Sequence, residues 1–226
     1  MLPPFFVKIG CYCFGELETV HYGNIYPKSE SQFRKLNMKN PDRCLNVMGV
    51  THCSSVDGPG LRTVVWFQGC TNHCPGCHNP DSWDTEKICN LYSPKELIDI
   101  AAPNKLEDGL TLSGGDPLCQ KNLYALSLFL QAYKFCYENK NIWLYTGKVW
   151  EDFICPGMPY LHDSYSRTLY ELLSSVDVVV DGPFKQELKS NDYIYRGSSN
   201  QRLIDCQASL YSEHGVVLFD PAQIKI

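Results

Sequence analysis

Apolar positions from Leu61 onward fall into short runs separated by Gly, Pro and Asp, and the runs alternate between two periodicities. Leu61–Phe67 (LRTVVWF) is β-branched and aromatic and follows the turn-forming Asp57-Gly-Pro-Gly60, which predicts a strand. Ser93-Pro-Lys-Glu96 predicts a helix start: Ser93 can cap free amides, Pro94 suits the first turn, and Glu96 can reach back to close a capping box. That helix should end near Ala102. Gly109–Leu112 reads as a second strand, Asn122–Tyr137 as a helix with its apolar stripe on Leu123, Leu126, Phe129, Leu130 and Tyr133, and Asn141–Tyr145 as a third strand. Ser166–Ser175 predicts another helix, Val176–Val180 a buried strand stopped by Asp181-Gly-Pro183, and Val216–Phe219 a last strand. Trp66, Trp143 and Tyr145 fall at core-like positions of these strands.

Strands alternating with helices predict an α/β fold: a mostly parallel sheet with outer helices, open or partly closed into a barrel. Such folds place their sites beyond the carboxyl ends of the strands. The unusual loops all follow strands: Cys70–Cys77 the first, Ser113–Pro117 the second, Thr146-Gly147 the third and Asp181-Gly-Pro183 the fourth. The opening stretch is different. Tyr22–Ser31 is polar, broken by Gly and Pro and without sustained periodicity, so residues 1–45 read as an N-terminal extension, with a short strand near Phe5–Ile9. Residues 46–226 read as the core domain.

Composition narrows the function. The 226 residues are 44% hydrophobic, enough for one well-buried domain, and carry a formal charge of −5 with no basic stripe. Nucleic acid is therefore not an expected partner. No segment approaches the roughly 20 apolar residues of a membrane helix, and the apolar run in Met1–Gly15 lacks a basic leader and is interrupted by Lys8. A cytoplasmic location is expected, and there twelve cysteines point to metal or redox chemistry rather than disulfides.

Gly69-Cys-Thr-Asn-His-Cys-Pro-Gly-Cys-His-Asn-Pro80 sets three thiols at x3 and x2 spacing in a loop shaped by Gly69, Pro75 and Gly76. Such a loop can hold an iron–sulfur cluster with one iron left open, or a zinc ion completed by His78 or Cys89. Leu112-Ser-Gly-Gly-Asp-Pro117 ends the next strand with two glycines that allow close backbone approach to a ligand. The other cysteines, including Cys11-Tyr-Cys13, form no comparable motif and read as small apolar residues.

The Cys-x3-Cys-x2-Cys loop followed by Gly-Gly-Asp-Pro resembles radical S-adenosylmethionine (SAM) enzymes. More narrowly, the chain is similar to the activating proteins of anaerobic (class III) ribonucleotide reductases. The likeness rests on Val56-Asp-Gly-Pro-Gly60, Cys74–Asp81, Ile142–Gly147, Val179–Gly182 and Arg196–Arg202, and spans about Val50 to Asp205. It implies a partial (βα) barrel of radical SAM type. It also implies that Cys70, Cys74 and Cys77 bind a 4Fe-4S cluster whose fourth iron SAM chelates. Contacts to SAM would come from Gly76, Cys77, His78, Ser113, Gly114, Gly115 and Asp116, with the last three at its amino group. No catalytic residue beyond cluster and SAM is implied. The product would be a glycyl radical on the large subunit of the reductase, with flavodoxin or ferredoxin as electron donor. Activation of a pyruvate formate-lyase type enzyme, or a non-catalytic zinc module, are the alternative functions. Two features depart from the broader pattern: Gly76 stands where an aromatic residue is common, and Asp116-Pro117 where Glu-Pro is common. Arg196, Asn200 and Gln201 would serve either a ligand or a tether.

Overall fold

A computed structural model describes residues 44–154 and 163–223. Among the described residues, seven strands form one sheet in the order β3-β1-β2-β4-β5-β6-β7. They are β1 (Leu45–Ser54), β2 (Arg62–Phe67), β3 (Asn90–Tyr92), β4 (Gly109–Gly114), β5 (Asn141–Tyr145), β6 (Val178–Asp181) and β7 (Arg202–Asp205). The central four strands run parallel, and antiparallel partners flank them: β1 and β3 on one side, β7 on the other. Among the described residues the sheet ends at β3 and β7 rather than closing, as in a partial barrel.

The α-helices among the described residues are α1 (Pro94–Ile100), α2 (Leu123–Cys136), α3 (Trp150–Phe153), α4 (Ser164–Leu173) and α5 (Cys206–Leu210). The Ser93 cap forms as its sequence predicts. Its hydroxyl accepts from the Glu96 amide at 3.3 Å while Glu96 Oε2 accepts from the Ser93 amide at 2.8 Å. Asn122 caps α2 through the Ala125 amide, at 3.0 Å.

Side chains alternate across the strands, giving the sheet two unlike faces. Val65, Phe67, Leu110, Leu112, Ile142, Leu144 and Val179 join Leu97, Leu126, Phe129, Leu130 and Tyr133 of the helices in the main core. The opposite face carries a smaller cluster of Trp143, Val178, Val180 and Leu203, against which Tyr145 packs. Trp143 is thus core, whereas Trp66 and Tyr145 are only partly buried.

Several expectations are corrected. Val216–Phe219 is not a strand: it contributes one isolated bridge, Ile204 to Leu218, at the sheet edge. The strand expected from Val176 starts at Val178, and the helix expected from Ser166 starts at Ser164. Strands β1, β3 and β7 have no simple sequence signature. β1 is interrupted by two register shifts that destroy alternation, and β3 and β7 have only three and four residues. The described sheet begins at Leu45, a fully buried residue within the stretch read as extension. The expected strand at Phe5–Ile9 and the Cys11-Tyr-Cys13 pair lie outside the described residues.

Candidate functional site

Four loops leave the carboxyl ends of β2, β4, β5 and β6 and meet around the cysteines. After β2, Gly69 turns the chain with φ +105°, and its amide donates to the Ser82 carbonyl at 2.8 Å. Cys70 N–H donates to Trp83 O at 3.3 Å, which closes the loop that carries Cys70, Cys74 and Cys77. Inside it Cys77 N–H returns to Cys74 O at 3.0 Å, and Gly76 takes φ +75°. The buried Gln68 side chain donates to the carbonyls of Asp81 and Asp84, at 3.3 and 2.8 Å, and so holds the far end of the loop.

The glycine loop is stitched directly to this one. Gly115 N–H donates to Phe67 O at 2.8 Å, and Asp116 N–H to Gly69 O at 2.9 Å. A Cβ on Gly114 would lie 2.5 Å from Phe67 N, and one on Gly115 would lie 2.4 Å from Gly69 O. The close approach inferred from the sequence is therefore, first of all, an approach of two protein backbones.

Asp116 is 1% exposed. Its carboxylate accepts from Leu118 N at 2.9 Å, Thr146 Oγ1 at 2.9 Å, Gly147 N at 3.1 Å and Asn72 Nδ2 at 3.2 Å. It thereby ties the loops after β2, β4 and β5 together. Burial raises its pKa above the ordinary carboxylate value despite these donors. The loop after β6 completes the ring. The Gln186 side chain occupies the space a Cβ on Gly76 would need.

Cys70, Cys74 and Cys77 are free thiols, each partly buried. Burial pushes Cys70 up to about 11 and raises Cys74, so both are protonated at neutral pH and any metal must displace the protons. Among the described residues, no three Cys, His, Asp or Glu side chains are grouped as one ion would require. A four-iron cluster takes its thiolates one per iron, and three thiols on a glycine-shaped loop suit it. His78 is exposed, and His73, at φ +45°, packs edge-to-face on Trp83 with ring centroids 5.1 Å apart.

The Arg196–Arg202 stretch is largely a tether. Gln201 Oε1 accepts from Gly197 N at 2.8 Å and its Nε2 donates to Gly182 O at 3.1 Å, while Asn200 Nδ2 donates to Pro183 O at 2.8 Å. Arg202 binds both Asp181 and Glu151. Val56–Gly60, one of the stretches that carry the family likeness, precedes β2 at its amino end, away from the cysteine loop. There Thr111 Oγ1 donates to Asp57 O at 2.7 Å and Arg62 Nη1 to Pro59 O at 3.2 Å. Gln68, Asn72 and Gln186 are site residues that sequence reasoning passed over. Each is an ordinary polar residue with no motif of its own, and only the folded loops reveal its partner.

The chain matches the 4Fe-4S single cluster domain family over residues 56–204. The anaerobic ribonucleoside-triphosphate reductase-activating protein of Enterobacteria phage T4 is 33% identical over 161 residues, covering 70% of this chain and 93% of its own. That of Escherichia coli K12 is 31% identical, covering 65% and 89%. Among solved structures, QueE from Escherichia coli aligns with 54% of this chain and 58% of its own at 13% identity and TM-score 0.38, a likeness too weak to inform the fold. The fold and cysteine loop define an iron–sulfur protein of α/β architecture. The chain belongs to the family of anaerobic ribonucleoside-triphosphate reductase-activating proteins.

Proposed function

We propose that this chain is a radical SAM activase that generates a glycyl radical on an anaerobic ribonucleotide reductase. The observation that carries the reading is the joining of two loops: three free thiols on one, backbone-bonded to the glycine pair on the other. Family membership supports the same reading and does not favour either the zinc module or activation of another glycyl-radical enzyme.

Cys70, Cys74 and Cys77 would hold three irons of a 4Fe-4S cluster. When bound, cluster and SAM supply one electron and the SAM-derived radical that takes a hydrogen atom from a glycine of the reductase. The chain's own residues orient and exclude. Gly114 and Gly115 leave the strand end free of side chains, so that backbone around Ser113–Asp116 can meet the amino group of SAM. Asp116, with its carboxylate engaged internally, would act there through its backbone and by positioning its neighbours. Gly76, Cys77 and His78 would border the adenine. Flavodoxin or ferredoxin is the proposed electron donor, the cytoplasm the proposed location, and residues 1–45 an extension to a core of 46–226. No helix among the described residues is long and apolar enough to cross a membrane.

The test is anaerobic reconstitution with iron and sulfide, then dithionite and SAM, with 5′-deoxyadenosine as readout. Wild type should turn brown and produce it, and Cys74→Ala should lose it. A colourless wild type that binds zinc and makes none would overturn the reading.

A further inference from the structure

The Asn79 amide donates to the Cys77 sulfur at 3.4 Å. Cys70 has a side-chain donor, and among the described residues it is the only side-chain nitrogen bonded to any of the three sulfurs. Asn72 Nδ2 lies 3.6 Å from Cys70 Sγ and 3.2 Å from Asp116 Oδ2. A carboxamide NH2 carries two protons, so Asn72 can spend one on the sulfur and one on the carboxylate. The amide packs against Gly147, where a Cβ would sit 2.0 Å from this same nitrogen. Asn72 thus stands between a buried carboxylate and a sulfur that would carry part of a cluster's charge.

Reduction adds negative charge to an iron–sulfur cluster, and N–H donors on its cysteine sulfurs stabilise the reduced form and raise its potential. A carboxylate nearby does the opposite unless its charge is met locally. We propose that Asn72 is a positioning residue that raises the reduction potential of the cluster held by Cys70, by donating to that sulfur and by engaging Asp116 Oδ2. The proposal rests on the cluster assignment made above. It explains why a non-ligating polar residue is packed into the ligand loop with both amide protons directed inward.

The experiment is an EPR-monitored redox titration of the reconstituted full chain without SAM, with iron and sulfide content measured on each sample. Two variants remove the donor: Asn72→Leu is neutral, and Asn72→Asp keeps the shape but has no N–H. At a fixed potential near the wild-type midpoint, the ratio of reduced to oxidised cluster should fall roughly threefold or more in Asn72→Leu, and further in Asn72→Asp. If only one variant loads, that one carries the test. A loaded variant that titrates with wild type would overturn the proposal. So would loss of the cluster in both, which would make Asn72 a folding requirement rather than a tuning one. Failure of wild type itself to take up iron would instead refute the cluster assignment.

Discussion

A side chain on Gly115 would place its Cβ 2.4 Å from the carbonyl oxygen of Gly69. That oxygen is already occupied by the Asp116 amide at 2.9 Å, so it cannot swing away without breaking the bond that joins the glycine loop to the cysteine loop. Gly115→Ala should therefore push the two loops apart. Overpacking of this kind costs about 1–3 kcal/mol. The expected result is a soluble protein with a lowered melting temperature and little iron after reconstitution, read by visible absorbance and iron assay. Normal iron content would show that the loops tolerate separation.

Asp116→Asn keeps the shape of the side chain but replaces one acceptor oxygen by a donor nitrogen. Thr146 Oγ1 can turn its hydroxyl and Asn72 can flip its amide, but the backbone amides of Leu118 at Oδ1 and Gly147 at Oδ2 can only donate, so either orientation of the new carboxamide sets N–H against N–H. Leaving a buried donor unsatisfied costs about 1–3 kcal/mol. Denaturant unfolding of the cluster-free protein should show a loss of that order, with Thr146→Ser close to wild type. An unchanged midpoint in Asp116→Asn would contradict the node described here.

Glu107 gives the pH dependence. Its side chain is fully buried at the amino end of β4, where Cys53 N and Asn104 N each donate to it at 2.7 Å. Burial pushes its pKa up, but these amides, with Thr63 and His52, hold it below the ordinary value. A depressed carboxylate pKa means that the unfolded chain binds the proton more readily. The stabilisation is then complete above the unfolded value of about 4.3 and is lost as pH falls through the folded one. The difference in stability between wild type and Glu107→Gln should be constant from neutral pH down to about 5 and shrink below it. Thermal melts of the two proteins at several pH values check this, and a difference that does not change with pH would refute it.

Arg62 is fully buried, and burial lowers its pKa to about 10. Among the described residues no carboxylate binds it. Its guanidinium donates to Thr111 Oγ1 at 2.6 Å, Asn141 Oδ1 at 2.8 Å and Leu110 O at 2.7 Å, and lies over the Trp143 ring. Arg62→Met would remove a donor from each of these acceptors and from Pro59 O, costing roughly 3 kcal/mol or more in denaturant unfolding. It should also loosen Val56–Gly60, seen as faster proteolysis there. Equal stability and equal cleavage would contradict that role.

Elements whose cause is local are legible in the amino-acid sequence. Ser93 and Glu96 make a helix start through neighbouring atoms, and the stripe from Leu123 to Tyr133 needs only helical geometry and an apolar surface to cover. The sequence also marked the three cysteines and the glycine pair, because few other purposes place such residues together at the ends of successive strands. Strands β1, β3 and β7 were not legible, since bulges and short length erase alternation and their place depends on which partner edge is free. Residues 56–60 show the same limit: a motif reads alike whichever end of a strand it lies on, and only the register of Arg62 with Gly109 puts it at the amino end. The side chains that turn separate loops into one site were decided by tertiary structure alone. Asp116 meets Asn72 and Gly147 across 44 and 31 residues of chain, and hydrogen bonds at that separation follow from the packing of strands, which no local pattern encodes.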